Sequence, residues 1–307
     1  MRTPRVLLPP CVLVAYACSG TASAEPFVGQ FELKTLDAEP GAYEFQSQNA
    51  WSHGRPRRAI DQDDNGELLF DENSVFGERY ALELEMGLTT SLKMRVGVEF
   101  ERERIEEPAS IAQANDLGSL ELGELGAELI AVLVPRESDG TGFGLVVELE
   151  GPPDQEEPNH LVLGSIFEYQ SGRWFAAAVP MLVHSFGGEV EDGERRDDKW
   201  DFAYASQLMY RASERWAVAL EGYGTIERLW NTGHRSETSQ RFGDFDQHRL
   251  GVIVYYAHQF GASVRSGGAG AGADDEGMGL SIGFGVLEGL NEHTADHTIK
   301  LSIEIDF

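Results

Sequence analysis

Apolar and polar residues alternate one by one along most of this chain. The pattern is clearest at the carboxyl end, where the apolar positions are Ile299, Leu301, Ile303, Ile305 and Phe307. The positions between them are Lys300, Ser302, Glu304 and Asp306. Successive side chains of an extended strand point to opposite faces, so this pattern predicts a strand with one apolar and one polar face.

Similar segments recur along the chain, and none shows a sustained helical period. The clearest examples are 82–86 and 92–100, where aliphatic residues alternate with charged ones. The others lie at about 42–53, 119–134, 142–151, 160–170, 173–186, 199–211, 215–228, 247–259 and 277–288. Together with the terminal strand they predict an all-β fold of about twelve strands.

The connections between these segments alternate in length. Those at 89–91, 170–172 and 212–214 are short, whereas 54–73, 105–118, 187–198 and 229–246 are long. Transmembrane β-barrels have short turns at one rim and long loops at the other. The alternation fails at 267–277 and 289–295, so either one strand is miscounted or a short turn carries a flexible insertion.

The terminal strand, which ends on Phe307, resembles the closing strand of bacterial outer-membrane β-barrels. The segments 85–94 and 210–218 resemble the repeated hairpins of the phenol meta-pathway transporter-like family. This resemblance covers the chain from about residue 42 and implies a single antiparallel transmembrane barrel in the outer membrane. It also implies contact with lipid and lipopolysaccharide, insertion by the barrel-assembly machinery, and passage of a small solute.

The amino terminus resembles a secretory signal peptide. Arg2 and Arg5 precede an apolar run over 6–17, and Ala22-Ser23-Ala24 provides small residues for cleavage. We therefore expect a signal peptide at 1–24, a periplasmic lead-in at 25–41 and the barrel at 42–307. Both cysteines lie in the signal peptide, and lipidation at Cys18 is a weaker alternative to cleavage after Ala24.

The chain is strongly acidic, with 52 Asp and Glu against 24 Lys and Arg. Removal of the signal peptide takes away two arginines and makes the mature chain more acidic still. This charge argues against nucleic acid as a partner, because phosphates would be repelled. The mean hydropathy of −0.29 is typical of a soluble protein. Membrane barrels have such values too, because their lipid-facing and lumen-facing residues alternate.

If the aliphatic residues of these strands contact lipid, the charged residues between them point into the barrel. The reverse orientation would cost about 2–4 kcal/mol for each base at the bilayer midplane. The candidate lumen-lining residues are Glu83, Glu85, Lys93, Arg95, Glu99, Glu128, Asp201, Glu221, Lys300, Glu304 and Asp306. The same parity places Glu124, Glu148, Glu150, Arg211 and Arg249 inside.

A mostly acidic lumen is compatible with two functions. A water-filled lumen would make the protein a passive pore for a small solute, with a preference for cations. A lumen cross-linked by pairs such as Glu85 with Arg95 would instead be closed. The protein would then be a structural barrel whose acidic outer loops bind divalent cations, lipopolysaccharide or a surface partner. A secreted β-sandwich is a third alternative, because its strands show the same alternation.

The segment 61–72 resembles a calcium-binding loop. Its oxygen donors are Asp61, Asp63, Asn65, Glu67 and Glu72, with Gly66 at the bend. The flanking residues do not have a helical pattern, so a solvated acidic outer loop is the alternative. Calcium is the only cofactor that the sequence indicates.

Two His and Ser combinations are candidate catalytic groups, namely His234 with Ser236 and His184 with Ser185. The first lies in a long loop, and the second would place its two side chains on opposite faces of a strand. Neither forms a nucleophile with an adjacent base, so we expect no enzymatic activity.

Overall fold

The computed structural model describes residues 31, 33–54, 59–62, 68–70, 75–103, 117–136, 139–153, 158–187, 198–233, 246–260 and 278–307. Within them the chain is almost entirely β-strand. The strands that form the main sheet are β1 Tyr43–His53, β4 Val75–Thr89, β5 Leu92–Glu103, β6 Glu121–Val134, β7 Gly140–Gly151, β8 Asn159–Ser171, β9 Trp174–Phe186, β10 Lys199–Arg211, β11 Trp216–Ile226, β12 Gln247–Gln259, β13 Gly279–Gly289 and β14 His297–Asp306. A separate hairpin is formed by β2 Ala59–Gln62 and β3 Leu68–Phe70.

The main sheet closes on itself as an antiparallel barrel. Each strand pairs with its neighbours in the chain, and β1 pairs with both β4 and β14. The closing register runs from Glu44 opposite Asp306 to His53 opposite His297. The prediction of about twelve antiparallel strands is thus confirmed for the described part of the chain, and an open β-sandwich is excluded.

The rim where β1 begins and β14 ends is called the inner rim here, and the opposite one the outer rim. Short turns join strands at the inner rim, and Gly172 allows one of them with a φ of 56°. The connection from β12 to β13, residues 260–278, is also at the inner rim and is long. Since the strand count is as predicted, the break in loop alternation comes from this long inner connection and from the short outer connection at 290–296, and not from a miscounted strand.

The outer face of the barrel is apolar and the inner face is mostly polar. On β7, Leu145, Val147 and Leu149 are each more than 40% exposed, whereas Glu148 and Glu150 between them are buried. Period-two alternation therefore sorts the side chains as the sequence predicts. On β14, Ile299, Leu301, Ile303 and Ile305 share the outer face, and Phe307 is 63% exposed.

Aromatic side chains mark the two rims. At the inner rim the ring centroids of Trp174 and Tyr210 are 4.9 Å apart, and those of Tyr43 and Phe307 are 6.0 Å apart. At the outer rim Trp51 packs edge-on against Tyr80. Belts of Trp and Tyr at two levels are typical of side chains at the two membrane interfaces.

Leu145→Arg, near the middle of β7, is expected to lower the free energy of unfolding by about 2–4 kcal/mol, because an arginine at the bilayer midplane loses its hydration. Thr141→Arg is the matched control, since Thr141 lies on the same face but close to the inner rim. Its cost is expected to be about 1 kcal/mol or less. Guanidinium unfolding in lipid vesicles measures both, and equal losses would contradict the assignment of this face to lipid.

Candidate functional site

The residues that the sequence predicts inside the barrel come together in its bore. Most of these charged side chains are almost completely buried. The buried ones are Glu83, Glu85, Lys93, Arg95, Glu99, Glu128, Asp201, Glu221 and Lys300. Glu304 is partly buried, and Asp306 is exposed at the inner rim. Of the others with the same parity, Glu148, Glu150 and Arg249 are buried, Glu124 is partly buried and Arg211 is exposed.

Arg95 is the centre of an ion-pair network on β4, β5 and β6. Glu85 and Glu128 stand opposite it on the two neighbouring strands, so all three side chains point into the bore. Arg95 Nη2 lies 2.8 Å from Glu85 Oε2, and Arg95 Nη1 lies 3.4 Å from Glu83 Oε2. Lys93 Nζ binds the other oxygen of Glu85 at 2.8 Å. These charges are removed from water, so each relies on its partners.

A second network surrounds Glu221 on β11, whose side chain is fully buried. Lys300 Nζ lies 2.8 Å from Glu221 Oε2, and the Tyr223 hydroxyl donates to the same oxygen at 2.6 Å. Gln207 and Tyr255 donate to Oε1. Because Lys300 is on β14, this network braces strands that are not neighbours in the sheet.

Part of the segment that precedes β1 lies inside the bore. Phe31 and Leu36 are buried against strand residues that face inward, and the Phe31 ring meets the edge of Tyr223 at 5.6 Å. Lys34 Nζ hydrogen-bonds to Glu128 and, at 3.0 Å, to Glu148. The sequence led us to expect a periplasmic lead-in at 25–41. Of this range, the described residues 31 and 33–36 instead lie inside the bore. There they contact apolar side chains and buried carboxylates, which the water at the inner rim would not provide.

Leu36 fixes this N-terminal segment, residues 31 and 33–41, to the wall. Its backbone N–H donates to Glu168 Oε1 at 2.9 Å. Its side chain fills the space beside Gly142 and Gly144, and a Cβ on Gly144 would lie only 2.5 Å from Leu36 Cδ2. Below it, the Gly41 N–H donates to Gly87 O at 2.8 Å, which joins the segment to the inner rim. The glycines of β7 are thus where the wall makes room for the segment.

A cavity of about 310 Å³ opens beside the segment in the inner half of the barrel. It is lined by polar and aromatic groups, among them Gln48, Arg136, Phe175, Gln207, Trp216 and Tyr255. The N-terminal segment contributes Leu33, Thr35 and Asp37 to the lining. The bore is therefore filled by the segment at mid-height and remains open space near the inner rim.

Arg136, in the turn after β6, ties the segment to this cavity. Its Nη2 lies 3.1 Å from both carboxylate oxygens of Asp37, and its Nε donates to Glu168 at 2.7 Å. The guanidinium also lies over the Phe175 ring at 5.3 Å. Burial lowers the pKa of Arg136, but the hydrogen bond to Glu168 and the charge of Asp37 raise this pKa by a larger amount, so the net shift is upward. Arg136 therefore stays charged.

One wall of the bore is apolar, which the alternation pattern did not indicate. Its buried side chains lie on β6 to β10 and on β12: Ile130, Val146, Ile166, Val179, Ala205 and Ile253. The run Leu145-Val146-Val147 is apolar on both faces, so alternation disappears there. The parity of Glu148 and Glu150 on the same strand was the signal that would have placed Val146 inside.

Ser185 has a histidine partner that the sequence did not indicate. His184 points to the opposite face and stacks on Trp200 at 4.3 Å, whereas Ser185 Oγ lies 3.0 Å from His160 Nδ1. His160 Nε2 lies 3.5 Å from Glu124 Oε1. A nucleophilic serine also needs donors for an oxyanion. Strand N–H groups are used in the sheet, and Ser185 pairs with Lys199 on one side and His160 on the other. The other combination, His234 with Ser236, lies outside the described residues.

The predicted calcium loop is only partly described. Asp61 lies in β2, while Asp63, Asn65, Glu67 and Glu72 lie outside the described residues. Among the residues that are described, one group has three carboxylates with oxygens within 4.8 Å of one another, namely Glu44, Glu304 and Asp306 at the inner rim. Calcium at 61–72 thus stays a prediction.

No protein-family model matches the chain, and no curated protein is significantly similar in sequence. The COG4313 outer membrane channel from Pseudomonas putida F1 shares the fold, with a TM-score of 0.57 and 15% identity over 90% of this chain and 99% of that one. The NanC porin gives 0.47 and 6% identity over 86% and 98% of the two chains. The KdgM porin in complex with disordered oligogalacturonate gives 0.43 and 7% over 87% and 98%. In the described residues, no helix has the length and apolar character needed to cross a bilayer.

The closed antiparallel barrel agrees with the fold of that channel. Its apolar outer face and two aromatic belts are typical of a barrel that spans a membrane. A barrel of this kind satisfies every backbone group within the sheet, as a membrane span requires. The chain is a β-barrel of the bacterial outer membrane.

Proposed function

We propose that this protein is a passive channel for a small solute and that its N-terminal segment closes the bore. The proposal rests on the position of this segment. The segment fills the bore at mid-height but is not one of the strands that form the wall. Non-covalent contacts such as those of Lys34 and Leu36 hold it there. Its departure would join the cavity near the inner rim to the outer half of the bore.

The charges of the bore favour cations. Among the buried residues that the structure describes, carboxylates outnumber basic side chains by roughly two to one. Glu83 and Glu99 are part of this excess, since both are almost completely buried on neighbouring strands. An acidic wall raises the local concentration of cations and lowers that of anions.

The replacement of Glu83 and Glu99 by Gln is expected to weaken this preference. In a planar bilayer with a KCl gradient, the reversal potential should move toward zero, because two carboxylates no longer attract potassium. Glu288→Gln removes one charge at an exposed position near the outer rim and is the control. An unchanged reversal potential in the double variant would refute the proposed cation preference.

A second candidate is a structural barrel that does not conduct, with acidic outer loops that bind divalent cations, lipopolysaccharide or a surface partner. The ion pairs of Arg95 and Lys300 favour it, because such networks stiffen a wall without any role in transport. The same recordings separate the two candidates. A channel gives discrete conductance steps, whereas a braced, closed barrel gives none.

A further inference from the structure

We propose that Glu128 and Glu148 form a binding site for the primary ammonium group of a cationic solute. Lys34 occupies this site while the N-terminal segment closes the bore. The inference rests on the proposed channel function and assigns the class of solute. A solute with an ammonium group would replace Lys34 and favour release of the segment.

The geometry of the site is that of an ammonium held between two acceptors. Glu128 on β6 and Glu148 on β7 are directly opposite in the sheet, so both carboxylates enter the bore at the same level. Lys34 Nζ donates to one oxygen of each. Both carboxylate side chains are no more than 7% exposed. Hydrogen bonds between ionised groups are the stronger kind, and here water does not compete with them.

Carboxylate oxygens without partners lie next to this pair. Glu150 and Glu99 are 2% and 3% exposed, and the Oε2 atom of each is buried with no hydrogen-bond partner among the described residues. Glu150 Oε1 and Glu148 Oε1 lie 3.6 and 3.9 Å from a single point beside Gly126, so the two side chains converge. Lys34 donates to neither of these two Oε2 atoms, so they remain as acceptors for an ammonium group that is not tethered to the segment.

The site fits an ammonium group better than a metal ion. Calcium needs six to eight oxygen ligands at close range. The three carboxylates that do approach one another within 4.8 Å in the described part of the chain are those of the inner rim, and neither Glu128 nor Glu148 is among them. Two converging oxygens suit the hydrogen-bonding capacity of an amine.

The binding test uses the full-length barrel in detergent, with n-butylammonium chloride as the probe and isothermal titration calorimetry as the readout. Lys34→Gln removes the resident ammonium and is expected to bind the probe at least about tenfold more tightly than the wild type. The further change Glu148→Gln should weaken that binding by about tenfold or more, because one charge-assisted hydrogen bond is lost. Lys34→Arg keeps a cation in the site and should bind as weakly as the wild type.

Equal binding by Lys34→Gln with and without Glu148→Gln would overturn the inference, as would the absence of binding by Lys34→Gln. If Lys34→Gln does not fold, the wild type provides a second measurement. It should bind butylammonium in preference to tetramethylammonium, which has no N–H group, and equal binding of the two would also overturn the inference. Calorimetry requires no conduction, so binding without conductance steps would refute the channel and leave the site intact.

Discussion

Arg95→Leu is expected to lower the free energy of unfolding by about 3–5 kcal/mol, the cost of breaking a buried ion pair by removing one partner. Arg95 is 3% exposed and lies within 4 Å of carboxylate oxygens of Glu83, Glu85 and Glu128. Without it, Glu83 loses the ion pair with Arg95, and Glu85 retains the ion pair with Lys93. Guanidinium unfolding in lipid vesicles measures the loss.

Arg102→Leu on the same strand is the matched control. Arg102 pairs with Glu78 near the outer rim, but its side chain is 36% exposed, so water replaces much of the interaction. We expect a loss of about 1 kcal/mol or less. If Arg95→Leu were no more destabilising than Arg102→Leu, the buried network would not stabilise the barrel wall.

The fold was largely predictable because a β-strand is a local pattern. The alternation at 82–86 and at 92–100 predicts two strands, and its parity places Glu83 and Lys93 on the inner face. Both side chains are buried there. A barrel needs little more than this, since one face of every strand contacts lipid and the other contacts the interior.

The N-terminal segment was not predictable in the same way. The alternation at 31–34 covers only four residues and breaks at Thr35, and Lys34 meets Glu128 across 94 positions of the chain. No local rule links two such distant residues. The sequence indicated an acidic lumen and left open whether it is closed. What fills it depends on the shape of the interior, including the space beside Gly142 and Gly144.

A disulfide between the segment and the wall is expected to abolish opening of the channel. In Leu36→Cys/Gly144→Cys the two Cβ atoms should lie within about 5 Å, close to the separation that a disulfide requires. This follows because Leu36 Cδ2 is 2.5 Å from a Cβ built on Gly144. The natural cysteines, Cys11 and Cys18, lie in the expected signal peptide, so the introduced pair would have no competitor.

Single-channel recording of this double variant before and after reduction tests whether the N-terminal segment closes the bore. The oxidised protein is expected to show no conductance steps, and reduction with dithiothreitol should restore those of the wild type. Each single variant, Leu36→Cys or Gly144→Cys, should show the same conductance steps before and after reduction. Conductance steps of full size in the oxidised double variant would show that the segment does not close the bore.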